Sequence, residues 1–162
     1  MKKLSAILTT LLLMIFSNLS LAGTSEVTWT NPDDYRDVHA GEGHRSKFKA
    51  RVFASFDAHF AQLAEKLPDG QTLLIDVTNV DLAGDVNHGG MRRIRVIKEL
   101  FIPRMAFSYQ LVDQNKQEIS SGEVNLKDMR FMMGSKLRYR NDTLAYEKKM
   151  LDNWFAETFT KK

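Results

Sequence analysis

Apolar residues recur at gaps of three and four along one stretch: Phe48, Val52, Phe53, Phe56, Phe60, Leu63, Ala64 and Leu67. That period gathers them on one face of a long helix over roughly 46–67. Ser46 is placed to cap its start, and Pro68-Asp69-Gly70 to end it. The period then changes to two. In Thr72–Leu82, Leu73, Ile75 and Val77 share one face while Leu74, Asp76, Thr78 and Val80 share the other, which predicts a strand. Met105, Phe107, Tyr109 and Leu111 alternate likewise. Asp113 to Lys116 reads as a hairpin turn and Glu118 to Leu126 as the returning strand. Val27-Thr28-Trp29 predicts a short early strand with Trp29 inward, and Arg92 to Ile102 fits either a strand or a bent connection. Asn141 or Asp142 can cap a last helix from Thr143 to about Phe159, with Leu144, Leu151, Trp154 and Phe155 on its apolar face. Lys161 and Lys162 would stand at its negative dipole end.

The order strand, helix, strand, possible strand, strand, strand, helix predicts one α+β domain over residues 23–162. Its expected form is a mainly antiparallel sheet of four to five strands with two helices packed on one face.

The beginning of the chain carries a different pattern. Lys2 and Lys3 precede an uncharged apolar run from Leu4 to Phe16, and Ser20-Leu21-Ala22 supplies small residues at a cleavage site. That is the pattern of a secretory signal peptide over residues 1–22, cut after Ala22, and it predicts a periplasmic protein. The run is short for a span, so no membrane-spanning segment is expected after cleavage.

Removal of the leader changes the electrostatics. The 23 Lys and Arg become 21 (23 − 2), against 20 Asp and Glu, leaving a net charge of +1. A general attraction to nucleic acid is not supported by that balance, and the sequence carries no nucleic-acid-binding motif. Cysteine is absent, which excludes thiol catalysis and cysteine-ligated metal clusters and leaves stability to the core alone.

Three groups of side chains have candidate chemistry. Arg92, Arg93, Arg95 and Lys98, with Arg104 further on, form the one marked basic run. Guanidinium forks suit carboxylate and phosphate, so Asp81, Arg93, Arg95, Arg104 and Asp128 are the candidate ligand-binding residues. His39, Glu42 and His44 could hold a metal ion that activates water, although their spacing matches no strong zinc signature. Met129, Phe131, Met132 and Met133 offer a soft apolar patch. No serine lies in a nucleophile-elbow motif and the glycines of 84–90 lack the phosphate-loop pattern, so no catalytic residue and no cofactor are assigned.

A series of short segments gives a further lead. Val27-Thr28-Trp29 with Pro32 and Tyr35, Leu67 to Leu73, Val80 to Gly84, Ile102-Pro103-Arg104, Leu126 to Met129 and Tyr146 to Phe155 occur in order along the chain. Together they resemble the bacterial domain of unknown function family 3016. The resemblance implies an exported bacterial protein and brings with it no activity, cofactor or catalytic residue. The reading that follows is a soluble periplasmic binding module for an anionic envelope ligand or a protein partner. The alternatives are a metal-dependent hydrolase using the His39/Glu42/His44 loop and a structural or assembly factor of the envelope.

Overall fold

A computed structural model of the chain describes residues 22–39, 41, 44–89, 91–133, 137–139 and 141–160. The expected leader (apart from Ala22), Glu42 and the terminal Lys161 and Lys162 lie outside the described residues. The elements run β1 (Thr24–Trp29), α1 (Arg45–Ala64), β2 (Thr72–Asp81), β3 (Asp85–Val86), β4 (Arg95–Val96), β5 (Arg104–Val112), β6 (Glu118–Lys127), a 3-10 turn (Leu137–Tyr139) and α2 (Ala145–Phe155). The last helix then widens into a π turn at Ala156–Thr160.

Four strands make one sheet in the order β1-β2-β5-β6. β1 runs parallel to β2 because α1 carries the chain back between them; β2, β5 and β6 are antiparallel neighbours. The β5–β6 turn forms as the sequence predicts. Asp113 Oδ1 accepts from Asn115 N (2.8 Å) and Gln117 N (2.9 Å), an Asx turn. Of the ambiguous segment from Arg92 to Ile102, only Arg95–Val96 pairs, with Asp85–Val86, as a two-residue ribbon. The rest is the bent connection.

Both helices cover one face, and Phe107 on β5 shows it directly. Its ring meets Phe60 of α1 edge-on at 6.1 Å and Trp154 of α2 at 4.8 Å. Around it are buried Val52, Phe56, Leu63, Leu73, Ile75, Met105 and Leu151. Trp29 stacks on Phe53 at 4.1 Å, closing the β1 side.

Two local expectations are corrected. α1 begins at Arg45 with His44 in the cap position and no side-chain cap, so Ser46 lies inside the helix. In β2 the pairing with β5 slips between Val77 and Asn79, and the bulge inserts Thr78. One extra residue inverts the alternation beyond it, so Val80 returns to the buried face. Asp81, its neighbour, therefore turns away from the core.

Candidate functional site

The C-terminal end of β2 is where the chemistry gathers. Val80 O accepts from Asp37 N (3.2 Å) and Asp37 O from Leu82 N (3.1 Å), so Asp37 prolongs the β1 track beside β2. Leu82-Ala83-Gly84 then turns the chain out of the sheet. Gly84 takes φ +80°, and a Cβ there would lie 2.4 Å from Val96 O. No other residue fits both the backbone and the space.

Two ionisable side chains, the largely covered Arg95 and the fully buried Glu147, hold this corner. Arg95 points inward from β4: Nη1 donates to Gly84 O (2.8 Å), and to Leu82 O and Ala83 O (3.3 Å each). Its Nη2 donates to Asp37 Oδ1 (2.7 Å) and His39 O (3.1 Å). From the opposite side, Glu147 of α2 accepts from Ala83 N (2.6 Å) through Oε1. Burial pushes the Glu147 carboxyl above its ordinary range, against the downward pull of that N–H.

Above the corner opens a cleft of about 600 Å³. Arg36, Asp37, His39, Asp81, Arg93 and Arg104 line its polar side, and Val86, Leu100, Phe101 and Ile102 its apolar wall. Asp81 Oδ2 stands 3.4 Å from Arg36 Nε and 3.9 Å from Arg104 Nη1. Burial raises the Asp81 carboxyl, opposed by the Arg36 and Arg104 cations. At 3.9 Å the Arg104 contact balances charge without being a hydrogen bond. Arg104 Nε is also buried without a hydrogen-bond partner among the described residues. Two guanidinium groups thus converge on one carboxylate, with more donors than it can use.

Of the residues singled out in the sequence, Asp81, Arg93 and Arg104 come together in this cleft, and His39 joins them. Arg95 lies beneath, its hydrogen bonds directed to backbone carbonyls and Asp37. Asp128 is elsewhere, capping the turn after β6 through Arg130 N (2.9 Å). His44 starts α1 beside Asp33 and Lys49, lining a separate shallow hollow that does not include His39. Among the described residues no three His, Asp or Glu side chains are grouped to hold a metal ion, Glu42 being outside them.

Sequence reasoning missed Arg36 and Glu147. Arg36 had no signal, since a polar loop looks solvated. Glu147 had one. It lies at the helical interval between Leu144 and Leu151, on the apolar face.

Residues 23–157 match the family described as Protein of unknown function (DUF3016). The chain belongs to that family. The match runs from just before β1 to just past α2, so it takes in the whole four-stranded sheet and both helices. No curated protein and no solved structure matches it. Among the described residues of this DUF3016 chain, no helix is long and apolar enough to cross a membrane.

Proposed function

We propose that this DUF3016 protein is an exported binding protein whose cleft takes an anion through carboxylate or phosphate oxygens. The observation that carries the reading is the Arg36–Asp81–Arg104 arrangement: two guanidinium groups against one acid, with Arg104 Nε lacking a hydrogen-bond partner among the described residues. A ligand oxygen would supply acceptors that Asp81 does not. The corner beneath holds the backbone that follows Asp81, so the carboxylate between the two cations is set before anything binds, which lowers the ordering cost of association. The apolar wall of Leu100 and Phe101 favours an anion with a hydrocarbon body. Export rests on the leader pattern of residues 1–22, and the periplasm is its proposed site.

The test is isothermal titration with sodium phosphate, pyrophosphate and decanoate, on the native protein and on Arg36→Gln/Arg104→Gln. Saturable heat from at least one anion, lost in the double variant while the unfolding midpoint is kept, is the expected result. No heat from any of the three, or equal affinity in the variant, refutes the reading. For export, the protein from the envelope fraction is expected to start at Gly23; a cytosolic protein still carrying Met1 refutes it.

A further inference from the structure

The arm between β3 and β5 is folded inside out. Its alternation places Arg95 inward, with a side chain only 15% exposed. Four of its apolar residues are left outside instead: Met91 is fully exposed, Leu100 83%, Ile94 53% and Ile97 36%, with Val96 half-buried. A loop made only to be solvated would turn the isoleucines in and the arginine out, so the inversion is informative. It is also held in place. Arg95 anchors the middle, Asn87 N donates to Ile94 O (2.9 Å), and Gly84 N donates to Phe101 O (2.9 Å). The exposed apolar tips are therefore presented by a pinned ribbon.

Charge tells what would cover them. With Arg95 turned inward onto Asp37, residues 91–100 expose Arg92, Arg93 and Lys98 against Glu99, a net of +2 (3 − 1), while the whole chain after residue 22 carries only +1. Arg92, Arg93 and Lys98 are exposed between the apolar tips. The next turn adds to the same end of the sheet. Lys127 pairs with Arg104, Asp128 N donates to Pro103 O (3.2 Å), and Met129 and Met133 beyond it are exposed. Interleaved aliphatic and basic side chains match a surface with negative headgroups above hydrocarbon.

We propose that residues 91–100 dock this protein on the surface of an anionic lipid bilayer, with Met91, Ile94 and Leu100 dipping below the headgroups and Arg92 and Lys98 among the phosphates. The docking is interfacial, since no described helix crosses a membrane. Leu100 also lines the cleft, but Met91 and Ile94 do not, so the docking can hold where the cleft reading fails.

The chain has no cysteine, so one introduced thiol can be labelled uniquely. Full-length Ile94→Cys carrying an environment-sensitive fluorophore is titrated with vesicles of phosphatidylglycerol and phosphatidylcholine, and with phosphatidylcholine alone. Glu123→Cys, exposed on β6, is the control. The expected result is a blue shift at position 94 with the anionic vesicles only, reversed by salt, and none at position 123. Adding Arg92→Glu and Lys98→Glu should weaken partitioning about thirtyfold or more, at about fivefold for each cation lost near the surface. Because the readout is local, a lipid-seeking leader cannot imitate it. No shift at position 94, an equal shift at 123, or an equal response to phosphatidylcholine overturns the proposal. So does a lipid-free shift that grows with protein concentration, which would make the occupant a second copy.

Discussion

Acidifying the protein from pH 7 to pH 5 should remove about 2 kcal/mol of stability through a single imidazole. His59 lies on the buried face of α1 with 1% of its surface exposed. Its Nε2 is 3.3 Å from Asp152 Oδ1 of α2, without hydrogen-bond alignment, and its ring meets Tyr139 edge-on at 5.7 Å. Two opposing effects act on it. Burial disfavours the imidazolium, and Asp152 favours it; Lys148 and Arg138 side with burial. Burial wins, because Asp152 Oδ2 already accepts from the Tyr139 hydroxyl (2.6 Å) and from Arg138 (3.3 Å), while Lys148 is tied to Asp142 (2.5 Å). The folded pKa drops to about 4 from 6.5.

The sign follows from linkage. Between those two values the unfolded chain holds a proton that the folded chain does not, so stability is complete above pH 6.5 and falls as pH drops towards 4. The full window amounts to about 3 kcal/mol at about 1.4 kcal/mol per pH unit, and the part from 6.5 to 5 to about 2 kcal/mol. The assay is urea unfolding of the native protein and of His59→Gln at pH 7 and pH 5. Subtracting the two removes every titration they share, and the fixed repacking cost of glutamine cancels between pH values. The stability advantage of the native protein over His59→Gln should shrink by about 2 kcal/mol on acidification. A difference that stays flat or grows would mean that His59 is charged in the fold and that the ion pair with Asp152 prevails.

Two more outcomes are expected at the corner. Glu147 has its folded pKa raised, so its effect runs the opposite way: stability is lost as pH rises from 4.5 through the folded value. Glu147→Gln keeps an acceptor for Ala83 N and should abolish that decline, leaving the variant at least as stable as the native protein at pH 7 in urea titrations; a loss of more than about 1 kcal/mol would show a charged, favourably held carboxylate. Gly84→Ala should destabilise by about 1–3 kcal/mol and speed amide exchange at Val86 and Asn87, since the new methyl has no space beside Val96 O; unchanged melting and exchange would contradict the strain argument.

The parts of this fold legible in the sequence are those set by repeating periods. The helical spacing from Phe48 to Leu67, the two-residue alternation of β5 and the Asp113 turn each needed only near neighbours, and each formed. The bulge at Thr78 was not legible. Its alternation is regular on paper, and only pairing with β5 reveals the extra residue. The cleft was half legible: Asp81, Arg93 and Arg104 stood out as charges near one loop, but Arg36 reaches them through the excursion that returns Asp37 to β2. Arg95 looked like its neighbours in the basic run, because inward and outward arginines share one letter. His59 and Glu147 had a readable signal, since both occupy apolar-face positions of amphipathic helices.

The ionisable side chains beneath the cleft make the strongest argument that this corner is built for definition. A buried Arg–Asp pair is no better for stability than well-packed hydrocarbon of similar volume, and Glu147 beside it is held at an unfavourable depth. What Arg95 and Glu147 do that leucine could not is fix backbone. Three carbonyls and one amide of Leu82-Ala83-Gly84 are bound by the Arg95 guanidinium and the Glu147 carboxyl in set directions. That fixes the exit of β2, and with it Asp81, the loop wall at Leu100 and the tilt of the arm. A corner needed only to connect two strands would have no use for such definition. One that must hold Arg36 and Arg104 about a single carboxylate does, because guanidinium recognition depends on donor direction as much as on charge.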